Sequence, residues 1–171
     1  MVGNALDSST FQDELRAGDT LVHLVGTPHP SPARAAEFRR VDLPSILASV
    51  AAAQHAGAAH VVYVSVAQPA PMMHAYIAVR AEGEAALAAS GLTATVLRPW
   101  YVLGPGHWWP LTLVPLYAIA RLLPSTRASA ERLGLVRLDQ MVAALVRAVE
   151  HPPAPGTLVR VDVPGIRAAR P

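Results

Sequence analysis

Three short and nearly continuous apolar runs constrain this chain more than any other feature: "TLVHLVG" (20–26), "HVVYVSV" (60–66) and "TATVLRP" (93–99). Runs of β-branched residues that are apolar on both sides of the pleat need cover on both faces, which is the situation of parallel strands between helices. A fourth run, "TLVRVDV" (157–163), alternates Val159, Val161 and Val163 with Arg160 and Asp162, and predicts an edge strand with one wet face. Helical patterns separate the runs. Ile46, Leu47, Val50, Ala51 and Gln54 follow Asp42 and Pro44 and stop near Gly57, which predicts an N-cap at Asp42 and a C-cap at Gly57. A second helix is expected over about 74–90. In the third, Leu138, Met141, Val142, Leu145, Val146 and Val149 recur at helical spacing before "HPPAPG".

The order strand, helix, strand, helix, strand, long excursion, helix, strand implies right-handed parallel crossovers and a doubly wound α/β sheet of about four strands. Ligands of such sheets sit beyond the carboxyl ends of the strands, here "VGTPHP", "VSVAQP" and "LRPWYVLGPG". The 171 residues suffice for one domain that buries about 70% of its unfolded surface. The Pro- and Trp-rich excursion 99–127 reads as a small cap over the strand ends.

Composition narrows the function classes. Fourteen basic and twelve acidic residues leave a net charge of +2 with scattered arginines, which excludes a concentrated nucleic-acid footprint. No cysteine is present, so there are no disulfides or thiolate metal sites, and the expected location is the cytoplasm. The seven histidines have no zinc-type spacing. The stretch 108–124 is apolar but short of a span, and Pro110, Pro115 and Arg121 interrupt it. Burial in the fold is the first reading of it; a partner surface or membrane contact is the other. His107, Trp108, Trp109 and Tyr101 read as the wall of an apolar substrate cleft.

Ser65, Tyr76 and Arg80 form the candidate catalytic group. Tyr76 and Arg80 are four apart on one helix face, and Ser65 ends the preceding strand. A phenol of pKa about 10 needs a nearby cation to work at neutral pH, and a serine hydroxyl can hold a substrate oxygen meanwhile. The same residues admit a plain structural reading, with Arg80 paired to Glu84 on an exposed face, Tyr76 packed and Ser65 capping a loop.

The segments "VVYVSV", "YIAVRAEGE" and "TVLRPWYVLGPG" resemble the extended and atypical branches of the short-chain dehydrogenase/reductase superfamily, in particular its NAD(P)-binding, nucleoside-diphosphate-sugar epimerase-like and NmrA-like members. "LVHLVG" is similar to the family's fourth strand and "GLVRLDQMVAALVRAVE" to its late helix, so the likeness covers nearly the whole chain. It implies a Rossmann fold that binds NAD or NADP, with Ser65 orienting substrate, Tyr76 as acid/base and Arg80 where lysine usually holds the ribose. It further implies Gly26 and Thr27 beside the cofactor ribose and Pro99 beside the nicotinamide. "VGNALD" (2–7) resembles the adenine-side turn, with Asn4 and Asp7 in the places of two acids; a helix-leading turn capped by Asp7 is the equal alternative.

The chain departs from the family in two ways. Arginine keeps lysine's charge but cannot relay a proton. No G-x-G-x-x-G or G-x-x-G-x-x-G turn is present, so the chain reads as the C-terminal part of the fold, N-terminally truncated, with a bare strand edge at "TLVHLVG" that would pair with another chain. Two functions are expected in consequence: an NAD(P)-dependent oxidoreductase or epimerase acting on a small molecule by hydride transfer, or a non-catalytic NAD(P)-sensing or partner-binding module.

Overall fold

A computed structural model describes residues 3–105, 112, 129 and 131–170. Strand β1 (Thr20–His23) leads, through 3-10, α and π turns over 32–42, into helix α1 (Leu43–Ala56). Then follow β2 (His60–Val64), α2 (His74–Ala89), β3 (Ala94–Arg98), β4 (Tyr101–Leu103), β5 (Leu135–Arg137), α3 (Leu138–Glu150), β6 (Leu158–Asp162) and α4 (Val163–Ala168). The main sheet has the order β1-β2-β3-β6, and all its pairings are parallel. Leu21 lies opposite Val61, Val61 opposite Ala94, and Ala94 opposite Leu158. A second, two-stranded parallel sheet joins β4 to β5.

Both faces of the main sheet are covered at its central strands β2 and β3, as their apolar runs require. On one face Leu21, Val61, Tyr63, Ala94 and Val96 pack with Ile46, Val50 and Ala53 of α1 and Leu87 of α2. On the other, Val62 and Leu97 pack with Met141, Ala144 and Ala148 of α3 and with Val163 and Ile166. This is a doubly wound, Rossmann-like α/β fold. α1 stops at Gly57, whose φ of 63° is the left-handed turn that lets its N–H bond back to the helix.

Several expectations need correction. Asp42 is no N-cap: its own backbone is helical, because the π turn carries the helix straight through it, and its side chain makes no cap bond. On α3 the buried residues are Met141, Ala143, Ala144 and Ala148, whereas Leu138, Val142, Val146 and Val149 are exposed. Close sheet packing selects the small alanine side of that helix and leaves the branched stripe outside. β6 lies at the sheet edge, and Val159 is exposed with Arg160 and Asp162. β1 forms the opposite edge; among the described residues it pairs with β2 alone, and Val22, Leu24 and Val25 are exposed along it. The cap expected over 99–127, the stretch 108–124 and the residues His107, Trp108 and Trp109 lie largely or wholly outside the described residues. No helix among the described residues is long and apolar enough to cross a membrane.

Candidate functional site

The carboxyl ends of β1 and β2 and the first turns of α2 meet around Arg80. This side chain is only 5% exposed, and Asp42, its partner, is fully buried. Arg80 Nη2 donates to Asp42 Oδ1 at 2.7 Å, and Nη1 donates to the Val64 carbonyl at 3.2 Å and more distantly to Tyr63 Oη and the Val25 carbonyl. Its guanidinium lies 5.1 Å from the ring centre of Tyr76 and 5.7 Å from that of Tyr63, both within cation–π range. Burial works against the charge of Arg80, but the two tyrosines and Asp42 outweigh it, and the pKa is raised. The arginine stays charged.

Asp42 also accepts from Thr27, whose backbone N–H and hydroxyl both donate to Oδ2, at 3.1 and 2.5 Å. The carboxylate thus ties the loop after β1 to α2. Gly26 makes room for this arrangement: a Cβ there would collide with Arg80 Nη2 and stand 3.2 Å from Asp42 Oδ1. His23 packs edge-on against Tyr63 and bonds Ser49 Oγ through Nδ1. Burial, with Arg80 nearby, lowers its pKa to about 4, so it is neutral at pH 7. Tyr76 is half-buried, its ring tilted against Phe38 at 4.9 Å.

Ser65 belongs to a different cluster. Its hydroxyl, 4% exposed, donates to Glu84 Oε1 at 2.7 Å. Gln68 Nε2 and Arg98 Nε reach the same oxygen, while Arg98 Nη2 and Arg160 Nε reach Oε2. Burial pushes the Glu84 carboxyl up, but the hydrogen bonds from Arg98 and Ser65 and the charge of Arg98 hold it below its ordinary value. The pairing of Arg80 with Glu84 on an exposed face is therefore corrected: both are buried, and each finds its partners elsewhere.

The structure thus brings Gly26, Thr27, Tyr76 and Arg80 together around Asp42, and assigns Ser65 to Glu84. Pro99 is buried after β3, where its carbonyl accepts from Ala67 N–H at 2.8 Å. Asn4 and Asp7 are exposed in an N-terminal turn, where Asp7 caps the 3-10 turn Ser8–Thr10 by accepting from Ser9 N–H, and Asn4 Oδ1 accepts from Leu6 N–H. Gly3 and Ala5, on either side of Asn4, line a groove of about 330 Å³ along β1 with Leu21, Val22 and His23. Sequence reasoning missed Asp42, Tyr63, Glu84 and Arg98 as site residues. Asp42 left one signal, a lone acid entering an apolar helix.

Whether a dinucleotide fits can be tested on these contacts. The strand-end loops and the half-buried Tyr76 suit its nicotinamide side. Arg80 turns Nη1 and Nη2 to internal acceptors, while its buried Nε has no hydrogen-bond partner among the described residues.

No family model matches the chain. A ceramide reductase from Caulobacter vibrioides is 31% identical over 136 residues, which are 78% of this chain and 42% of that protein. A short-chain dehydrogenase/reductase superfamily protein from Agrobacterium tumefaciens, with bound NAD, superposes with a TM-score of 0.64 at 16% identity over 94% of this chain and 65% of its own. A dTDP-glucose 4,6-dehydratase from Streptomyces venezuelae, with bound NAD, gives 0.66 at 22% identity over 92% of this chain and 56% of its own. The chain therefore spans less than two thirds of the length of each of these proteins. Its fold is the Rossmann-like fold of NAD-binding proteins. That fold is shared with these solved structures over more than nine tenths of this chain.

Proposed function

We propose that this chain carries the nicotinamide-side half of an NAD(P)-dependent oxidoreductase of the short-chain dehydrogenase/reductase superfamily, and that its substrate is a carbonyl or alcohol on a long-chain lipid. The observation that carries the reading is Tyr76, half-buried at the strand ends with the charged Arg80 against its ring. The ceramide reductase, related by sequence over most of this chain, supports the lipid class. When bound, the nicotinamide supplies or accepts a hydride at the substrate carbon. Tyr76 Oη gives the proton to the developing alkoxide, or takes it in the reverse direction. Ser65, whose own proton goes to Glu84, would meet a substrate hydroxyl as an acceptor. Gly26 and Thr27 would lie beside the cofactor ribose, Pro99 beside the nicotinamide, and Asn4 and Asp7 on the adenine side. The cytoplasm is the proposed location.

The test is turnover of NADPH or NADH by the purified chain with long-chain ketones, followed by loss of the reduced-nicotinamide absorbance. Tyr76→Phe is expected to lower the rate by about a hundredfold or more. Equal turnover by the Phe variant, or failure of the chain to bind either nucleotide, would overturn the reading. The second reading, a non-catalytic NAD(P)-sensing module, is favoured by the inward commitment of Arg80; it predicts nucleotide binding that Tyr76→Phe leaves intact, with no turnover by either protein.

A further inference from the structure

Arginine at position 80 needs a device that lysine would not. Its guanidinium is bulkier and permanently charged, and burying it unpaired would cost several kcal/mol. Three features outside the Tyr76 helix supply that device. Gly26 leaves the volume in which Nη2 sits. Asp42, fully buried, gives Nη2 a carboxylate oxygen at 2.7 Å. Thr27 donates twice to that carboxylate and so fixes it against the loop that follows β1. The π turn over Phe38–Asp42 places both Phe38 and Asp42 toward α2, one against the Tyr76 ring and the other against Arg80. The tyrosine ring thereby contacts both a phenyl ring and a guanidinium that is itself tethered.

We infer that Asp42 is a positioning residue: it acts through Arg80, holding the guanidinium against the Tyr76 ring and so fixing where the phenol stands at the strand ends. The inference deepens the reading of Tyr76 as the proton-transferring group and rests on it for its functional meaning. Asp42 touches neither substrate nor cofactor in this account. It sets the place of a group that does.

The experiment is solution NMR of the full chain without nucleotide, so it reads the positioning separately from turnover. The Arg80 Nε–Hε resonance is assigned by its loss in Arg80→Lys, and the Tyr76 ring resonances by their loss in Tyr76→Phe. In Asp42→Asn, which keeps the shape of the side chain but not its charge, Arg80 Hε is expected to exchange at least about tenfold faster, as a local opening would allow. The Tyr76 ring resonances should move while those of Tyr101 stay. Unchanged Arg80 exchange and unmoved Tyr76 resonances would overturn the inference. If Asp42→Asn does not fold, Arg80→Gln and the double variant Asp42→Asn/Arg80→Gln decide it, since the double variant buries no charge at the pair. The Tyr76 resonances should shift equally in both, because Asp42 acts only through Arg80. A further shift in the double variant, or no shift in either, would overturn it. A failure of the Tyr76→Phe turnover test leaves these spectra as they are, and so is distinguishable from failure here.

Discussion

Arg80 and Glu84 stand one turn apart on α2, opposite in charge and at the spacing that usually joins such residues, yet they have no bond in common. Arg80 is a single cation sealed beneath the strand ends with one carboxylate and two aromatic rings around it. Glu84 is a single carboxylate whose two oxygens receive Ser65, Gln68, Arg98 and Arg160. The first cluster is closed and balanced in charge. The second gathers two arginines on Glu84, with Asp162 a more distant second acid 3.9 Å from Arg98, and opens toward solvent through Arg160, 42% exposed. A pair spaced four apart gains only a few tenths of a kcal/mol at a surface, so buried partners supplied by other elements prevail. Side by side on one helix, the two clusters divide the labour: one places Tyr76, and the other closes the sheet between β2, β3 and β6.

The largest effect should come from breaking the closed cluster on one side only. Arg80→Met leaves Asp42 buried with the Thr27 donors alone, and Asp42→Ala leaves the guanidinium without a counter-charge. Each is expected to cost about 3–5 kcal/mol in urea denaturation. The Asp42→Asn/Arg80→Met double variant should regain much of that loss, and a double variant as unstable as the singles would mean that the pair is not the unit. Acid separates the clusters by pH. The folded pKa of His23, about 4, lies below the ordinary 6.5, so the native state binds fewer protons between the two values. Stability should fall as pH drops from about 6.5 toward 4, by on the order of 3 kcal/mol, and then level off. Glu84 has its pKa lowered, so its contribution is present above the ordinary carboxylate pKa of about 4.3 and is lost only as the pH falls through the lower folded value. His23→Leu should remove the upper window and leave the lower one in thermal melts across pH. The smallest effect is expected from Arg160→Ala, at about 0.5–1 kcal/mol, because Arg98 still binds both oxygens of Glu84. A loss as large as that of Arg80→Met would erase the distinction between the clusters.

The sheet was legible because β-branched runs with no polar face admit few other environments, and the runs 20–26, 60–66 and 93–99 each contain the observed strand. The sequence overstates the strands at their carboxyl ends, where Leu24, Val25 and Val66 continue the apolar character after the ladder stops. Periodicity found α3 but misjudged its buried side. It weighs hydrophobicity, whereas packing against the sheet rewards small side chains such as Ala144 and Ala148. The spacing of Tyr76 and Arg80 showed that they share a helix face. The role of Asp42 was not legible, since 38 residues separate it from Arg80 and only the two successive crossovers, β1 to β2 and β2 to β3, packed on one face of the sheet bring them together. The partner of Ser65 was not legible for a related reason: a serine at a strand end announces a hydroxyl but not the acceptor it will meet.

Gly26 orders the substitutions open to this molecule. While arginine occupies position 80, any side chain at position 26 enters the guanidinium's own volume. A change at 26 is tolerable only after position 80 has shortened, and an arginine can arrive at 80 only while 26 is glycine. The two positions, 54 residues apart in the chain, are therefore coupled: a side chain at 26 and an arginine at 80 compete for the same space.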